Sequence, residues 1–359
     1  MSAPTNMLAE APPAVGHTPL IDMHVHIVGD GSSGSGCWHK SPVWRIPAAA
    51  WLAHHNGLPL SGLRGNLDRL YVERLLNLVR ESSLDAVVSL AQELPYADDG
   101  RVIEGVASFF VPNDYVLELA REHPEFLPAV SIHPGRRDAI DELERCLAGG
   151  AVMMKILPNC QNIDCSDRRY TKFWERMAEA GLPLLAHTGG EMTLPVLRAE
   201  FADPRRLELP LQCGVTVIAA HSGTKSALFD RQHFPTFVEM TQRHPNLYGD
   251  NSAFLVLNNR ARGTVLRDCL RAPLAGRIVH GSDFPVPCFG VWAWLMGYLD
   301  ARTFWKWQRH PNPLERDYQF KRAIGFPPET FTRINQLLRS VKKIEKPACA
   351  SREETRMIP

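Results

Sequence analysis

The chain has 359 residues, 45% of them hydrophobic and 22% charged, with a net charge of +1. This is the composition of a globular protein with ample material for a large core. Near-neutral charge without a basic block argues against nucleic acid as a partner, and no apolar run approaches the ~20 residues of a membrane span.

The first residues, "MSAPTNMLAEAPPAVGHTP", carry neither the basic nor the apolar region of a secretory signal, so a cytoplasmic protein is expected. Residues 1–18 read as a loose arm, 19–340 as one catalytic unit, and 341–359 as a polar tail. Eight short apolar runs follow the arm: "LIDMHVHI" (20–27), "DAVVSLAQ" (85–92), "FLPAVSIHP" (126–134), "AVMMKILP" (151–158), "LPLLAHTG" (182–189), "GVTVIAAHSG" (214–223), "NLYGDNSA" (246–253) and "GRIVHGSDFP" (276–285). Amphipathic helical patterns lie between most of them, among them 66–83, 138–150 and 170–181. Apolar strands alternating with helices predict βαβ units and a parallel sheet covered on both faces. Eight such units predict an α/β fold, a (β/α)8 TIM barrel, with long loops after strands 1 and 2 (28–65 and 93–125) as walls of the mouth.

Two signals overlap in "IDMHVHIVGDGSSGSG" (21–36). Gly29, Gly31 and Gly34 spell the dinucleotide fingerprint, but the glycines lead into "CWHKSPVWRIP", a poor helix start. No acidic residue lies between Asp30 and Asp68 to hold a ribose, so the match reads as coincidence and the run as a flexible exit from the strand. The H-x-H of His24 and His26 is the other signal. Residues two apart on a strand share a face, so both imidazoles project together, with Met23, Val25 and Ile27 opposite. The same alternation pairs Lys155 with Met153, His187 with Leu185, His221 with Ala219, and Asp283 with Gly281, sending His280 outward.

Imidazoles and one carboxylate gathered at strand ends match a divalent transition-metal site, with zinc expected and iron, manganese or cobalt open. Such an ion lowers the pKa of bound water, and Asp283 stands where it could move that water's proton. The eight cysteines contain no C-x-x-C and are expected to be free thiols, Cys160 and Cys165 included. There is no G-x-S-x-G elbow to supply a serine nucleophile.

"DMHVH", "MKILPNCQNID", "LPLLAHTGGE", "AAHSG" and "HGSDFP", in that order, resemble the amidohydrolase superfamily, and its amidohydrolase 2 branch in particular, across residues 20–340. The resemblance implies metal ligation by His24, His26 and His187, with Asp283 as ligand and proton shuttle. It implies that His221 binds a second metal or orients the substrate carbonyl. Lys155 would be a carboxylated bridge between two metals or an ammonium that grips a substrate carboxylate, which leaves one or two ions open. His133 is a substrate-binding candidate. The implied activity is hydrolysis of an amide, ester or lactone in a small molecule, with decarboxylation of an unsaturated or aromatic acid, or a non-catalytic binding barrel, as alternatives. A homo-oligomer is left open.

Overall fold

The computed structural model describes residues 17–40, 46–58, 65–227, 230–257 and 265–339. Most of the expected arm and the whole expected tail lie outside the described residues. Eight strands pair in parallel and in chain order: β1 (Ile21–His26), β2 (Ala86–Leu90), β3 (Phe126–Val130), β4 (Met153–Ile156), β5 (Leu184–His187), β6 (Val217–Ala220), β7 (Leu247–Asp250) and β8 (Ile278–Val279). Each falls inside one of the apolar runs. The seam between β8 and β1 is joined by three backbone hydrogen bonds: Met23 N–H to His280 O (3.1 Å), Asp283 N–H to His24 O (2.9 Å) and His26 N–H to Phe284 O (2.8 Å). The expected helices are present as Leu67–Arg80, Ala139–Ala148 and Thr171–Glu179, each burying one apolar side, as a helix does when it packs on a sheet.

Strand alternation divides the core into two layers. Ile21, Met23, Val88, Leu90, Leu127, Ala129, Met153, Leu185, Ile218, Ala220 and Val279 fill the barrel interior, with Ile334 and Leu338 in the same cluster. Val25, Ile27, Val87, Val130, Met154, Ile156, Ala186 and Ala219 pack outward among the helices.

Two face assignments from simple alternation are overturned. Met23 lies with the interior cluster, because the register of β1 shifts between Asp22 and Val25. A bulge of this kind puts an extra residue on one face and re-aims those that follow. Ala219 faces the helices, so His221 does not share its face. His221 instead follows the end of β6 with φ 59°, outside strand geometry.

The two long loops differ from the expectation in a useful way. They meet in a short antiparallel ladder, Trp38 opposite Phe110 and His39 opposite Phe109. The first also holds a helix, Ile46–His55, so His54 and His55 are helical, and the His55 ring stacks against Trp51 (5.2 Å). The Gly–Ser run is no loose hinge. It wraps the Asp68 carboxylate, which accepts from the backbone N–H of Asp30 (2.7 Å), Gly31 (3.1 Å) and Ser33 (3.0 Å) and from the hydroxyls of Ser33 (2.8 Å) and Ser35 (2.7 Å). A Cβ on Gly29 would stand 2.4 Å from Asp68 Oδ1, so glycine is required there. The backbone amides of Asp30, Gly31 and Ser33 are thus satisfied by the protein's own anion.

Candidate metal centre

Every strand end that carries a polar side chain opens at the C-terminal rim of the barrel, where TIM-barrel sites are built. His24 and His26 come from β1, Lys155 from β4, His187 from β5, Asp250 from β7, and His221 and Asp283 from the turns after β6 and β8. Both turn residues have left-handed backbones, His221 at φ 59° and Asp283 at φ 69°. That conformation costs energy in residues with a Cβ, and persists where surrounding contacts enforce it. Space for β8 to approach β1 comes from Gly281, where a Cβ would lie 2.7 Å from that of His24.

His24, His26 and Asp283 form the tightest group, their donor atoms all within 4.8 Å of one another. Asp283 Oδ1 lies 3.2 Å from His24 Nε2 and 3.3 Å from His26 Nε2. The other nitrogen of His24, Nδ1, is 2.7 Å from Asp250 Oδ2, which orients the ring as a metal-bound imidazole is oriented by a carboxylate behind it. Two imidazole nitrogens and a carboxylate oxygen converging at one point, with a carboxylate behind the first ring, fit a divalent cation.

The electrostatics agree with that donor set. Burial, with the nearby Lys155, pushes the His24 imidazolium down, so the ring is held neutral as a ligand must be. Burial opposes ionisation of Asp283, but His24, His221 and His26 outweigh it and hold the carboxyl well below the usual carboxylate range. Burial likewise pushes the Lys155 ammonium down to about 8, against the pull of Asp283 and Asp250. Its Nζ is 3.2 Å from His24 Nε2.

The remaining expected residues are distributed around this group. The His221 ring stacks on His24 (5.3 Å between centroids) and meets His187 edge-on (5.0 Å). His187 turns its Nε2 toward Gly190 O (3.2 Å) and Glu191 Oε2 (3.7 Å). His133 is buried elsewhere, its ring against Tyr96 (5.0 Å) and its Nδ1 accepting from the Gly135 amide (2.9 Å). His280 packs outward against Phe331 (5.1 Å), as alternation predicts. The described cysteines are free and mostly buried, with Cys160 in a short helix, Pro158–Gln161.

The model of the amidohydrolase family matches residues 21–301. The chain belongs to the amidohydrolase 2 family. No curated protein sequence matches this family member. Among solved structures, it is similar to an uncharacterized TIM-barrel protein from Bordetella bronchiseptica, at 16% identity over 84% of this chain and 99% of that one, with a TM-score of 0.56. It is similar to a candidate 2-pyrone-4,6-dicarboxylic acid hydrolase from Pseudomonas putida, at 14% identity over 89% and 97%, with a TM-score of 0.53. A third is 5-carboxyvanillate decarboxylase from Sphingomonas paucimobilis, at 12% identity over 90% and 99%, with a TM-score of 0.52. At such identities these likenesses show a common fold.

Sequence reasoning missed Asp250 and Glu191 as neighbours of the amidohydrolase centre. Asp250 had a signal, since it follows the apolar residues of the seventh run as His187 follows those of the fifth. Glu191 closes the "LPLLAHTGGE" motif, but its approach to His187 depends on a loop whose path only the fold sets.

Proposed function

We propose that this amidohydrolase 2 protein is a metal-dependent hydrolase that cleaves an amide, ester or lactone bond in a small molecule. The observation that carries the reading is the convergence of His24, His26 and Asp283 at the barrel mouth. A divalent cation held by these three, zinc being the ion best matched to the donors, would polarise the scissile carbonyl and lower the pKa of the attacking water. Asp283, ionised and within 3.3 Å of both imidazoles, accepts the proton released as the nucleophile adds and returns it to the leaving group. His221 and His187 stand beside His24 and orient the substrate carbonyl, or complete the ligand set. Lys155 is either the carbamate of a two-ion site, which a lowered amine pKa favours, or a cation for a substrate carboxylate.

A second reading rests on that lysine. An ammonium 3.2 Å from His24 Nε2 is placed to hold a carboxylate against the centre, which suits a decarboxylase of an unsaturated or aromatic acid. The barrel shared with 5-carboxyvanillate decarboxylase accommodates such chemistry.

Metal analysis of protein purified after growth with zinc, manganese and iron tests the reading. We expect about one or two equivalents of a divalent ion, and a lower thermal midpoint after chelation, since a ligand at ~100 times its Kd stabilises the native state by about 2.7 kcal/mol. Protein that binds no stoichiometric metal under these conditions would sink the proposal. Screening lactones, amides, esters and unsaturated acids, with CO2 release followed alongside, separates hydrolysis from decarboxylation.

A further inference from the structure

We propose that Asp250 is a positioning residue that sets the ring tautomer of His24 and, through Ser252, that of His221, leaving the lone pair of each ring on Nε2 before any ligand arrives. The proposal rests on the metal-centre reading for its consequence, but its core is a statement about protons in the metal-free chain.

Asp250 is fully buried, and its two oxygens do different work. Oδ2 lies 2.7 Å from His24 Nδ1. Oδ1 accepts from the His221 amide (2.6 Å), the Ser252 amide (3.1 Å) and the Ser252 hydroxyl (2.5 Å). An ionised carboxylate only accepts, so the neutral His24 ring facing it donates from Nδ1–H. Its Nε2 is then a lone pair, which suits the Lys155 ammonium 3.2 Å away. Asp283 Oδ1, also 3.2 Å from Nε2, favours the opposite tautomer, but its contact is longer than that of Asp250.

The same reasoning runs through Ser252 to His221. Ser252 has one hydroxyl proton, and the carboxylate at 2.5 Å takes it. Its oxygen therefore accepts from His221 Nδ1, 2.8 Å away. The Ser252 carbonyl, 3.3 Å from the same nitrogen, can only accept as well. His221 thus carries its proton on Nδ1 and its lone pair on Nε2. The bond from the His221 amide to Oδ1 also secures the left-handed backbone that brings this ring to the mouth. One carboxylate on β7 thereby coordinates groups from β1 and β6.

The test follows imidazole nitrogens by 15N NMR in histidine-labelled, metal-free protein at neutral pH. In the wild type we expect Nδ1–H, with unprotonated Nε2, at both His24 and His221; Nε2–H at His24 overturns the proposal without any variant. Asp250→Asn has one acceptor oxygen, which three donors hold at the Oδ1 position, so its NH2 faces His24 and drives that ring to Nε2–H. We expect binding of Zn2+, measured by chelator competition, to weaken about 10- to 100-fold, the usual effect of losing such a partner. Ser252→Ala, which removes one donor to the other oxygen and the link to His221, keeps His24 as Nδ1–H. An Asp250→Asn protein with the wild-type tautomer and affinity, or a Ser252→Ala protein whose His24 carries its proton on Nε2, rejects the assignment. A wild type that binds no Zn2+ defeats the functional reading instead, and the tautomer measurement still decides the role of Asp250.

Discussion

Asp283 occupies a backbone conformation (φ 69°) that a non-glycine residue adopts only under constraint, and its carboxylate is the anion of the donor cluster. Replacing it by asparagine removes the charge and the proposed proton acceptor while keeping the shape and the two imidazoles. Asp283→Asn is therefore expected to retain at least part of its bound metal and to lose about 10²- to 10⁴-fold in kcat on any substrate found. Near-wild-type turnover would remove Asp283 from the mechanism. The residue types at this centre were readable because H-x-H on a strand followed by a late Asp is a rare pattern. Their partners were not, since the contact between His24 and Asp250 joins positions 226 apart in the chain.

At the scale of elements, the helix Pro313–Ile324 lies beyond the family match, which ends at residue 301, yet it braces the Asp283 turn. Buried Lys321 donates from Nζ to Gly281 O (2.7 Å) and to Asp317 Oδ2 (2.5 Å), tying the helix to the chain two residues before Asp283. Breaking a buried pair leaves an uncompensated charge. Lys321→Met should cost about 3–5 kcal/mol in urea unfolding, with Lys321→Met/Asp317→Leu losing less than the single variant. Equal losses in the single and double variants would show that the pair is not the origin of the effect. The strands themselves were legible in the sequence because each is an apolar run buried on both faces. Facing was legible only while alternation held: it served at Lys155 and His187, and failed at Met23 and His221, where a bulge and a left-handed turn intervene.

Across the whole molecule, acid stability should carry the signature of buried imidazoles outside the metal centre. Burial pushes His133 down to about 4 from an ordinary 6.5. In that interval the unfolded chain binds a proton that the native state does not, so stability is full above about pH 6.5 and is lost as the pH falls toward 4. The shift corresponds to about 3 kcal/mol. His133→Gln, whose amide oxygen can still accept from Gly135, should show a flatter decline in unfolding free energy between pH 6.5 and 4.5 than the wild type. Parallel profiles would assign the acid sensitivity to other groups.

Sequence by itself determined the parallel α/β barrel, the order of its strands, and the pair of histidines and the aspartate of the donor cluster, because hydrophobic periodicity and residue chemistry are local properties. Tertiary structure decided which polar groups meet. It turned the Gly–Ser run from an expected flexible exit into a nest for Asp68, drew the two long loops into one ladder, and set Asp250 behind both His24 and His221. These are contacts between strands and loops far apart in the chain, fixed by the curvature of the closed sheet and by backbone turns that no local pattern encodes.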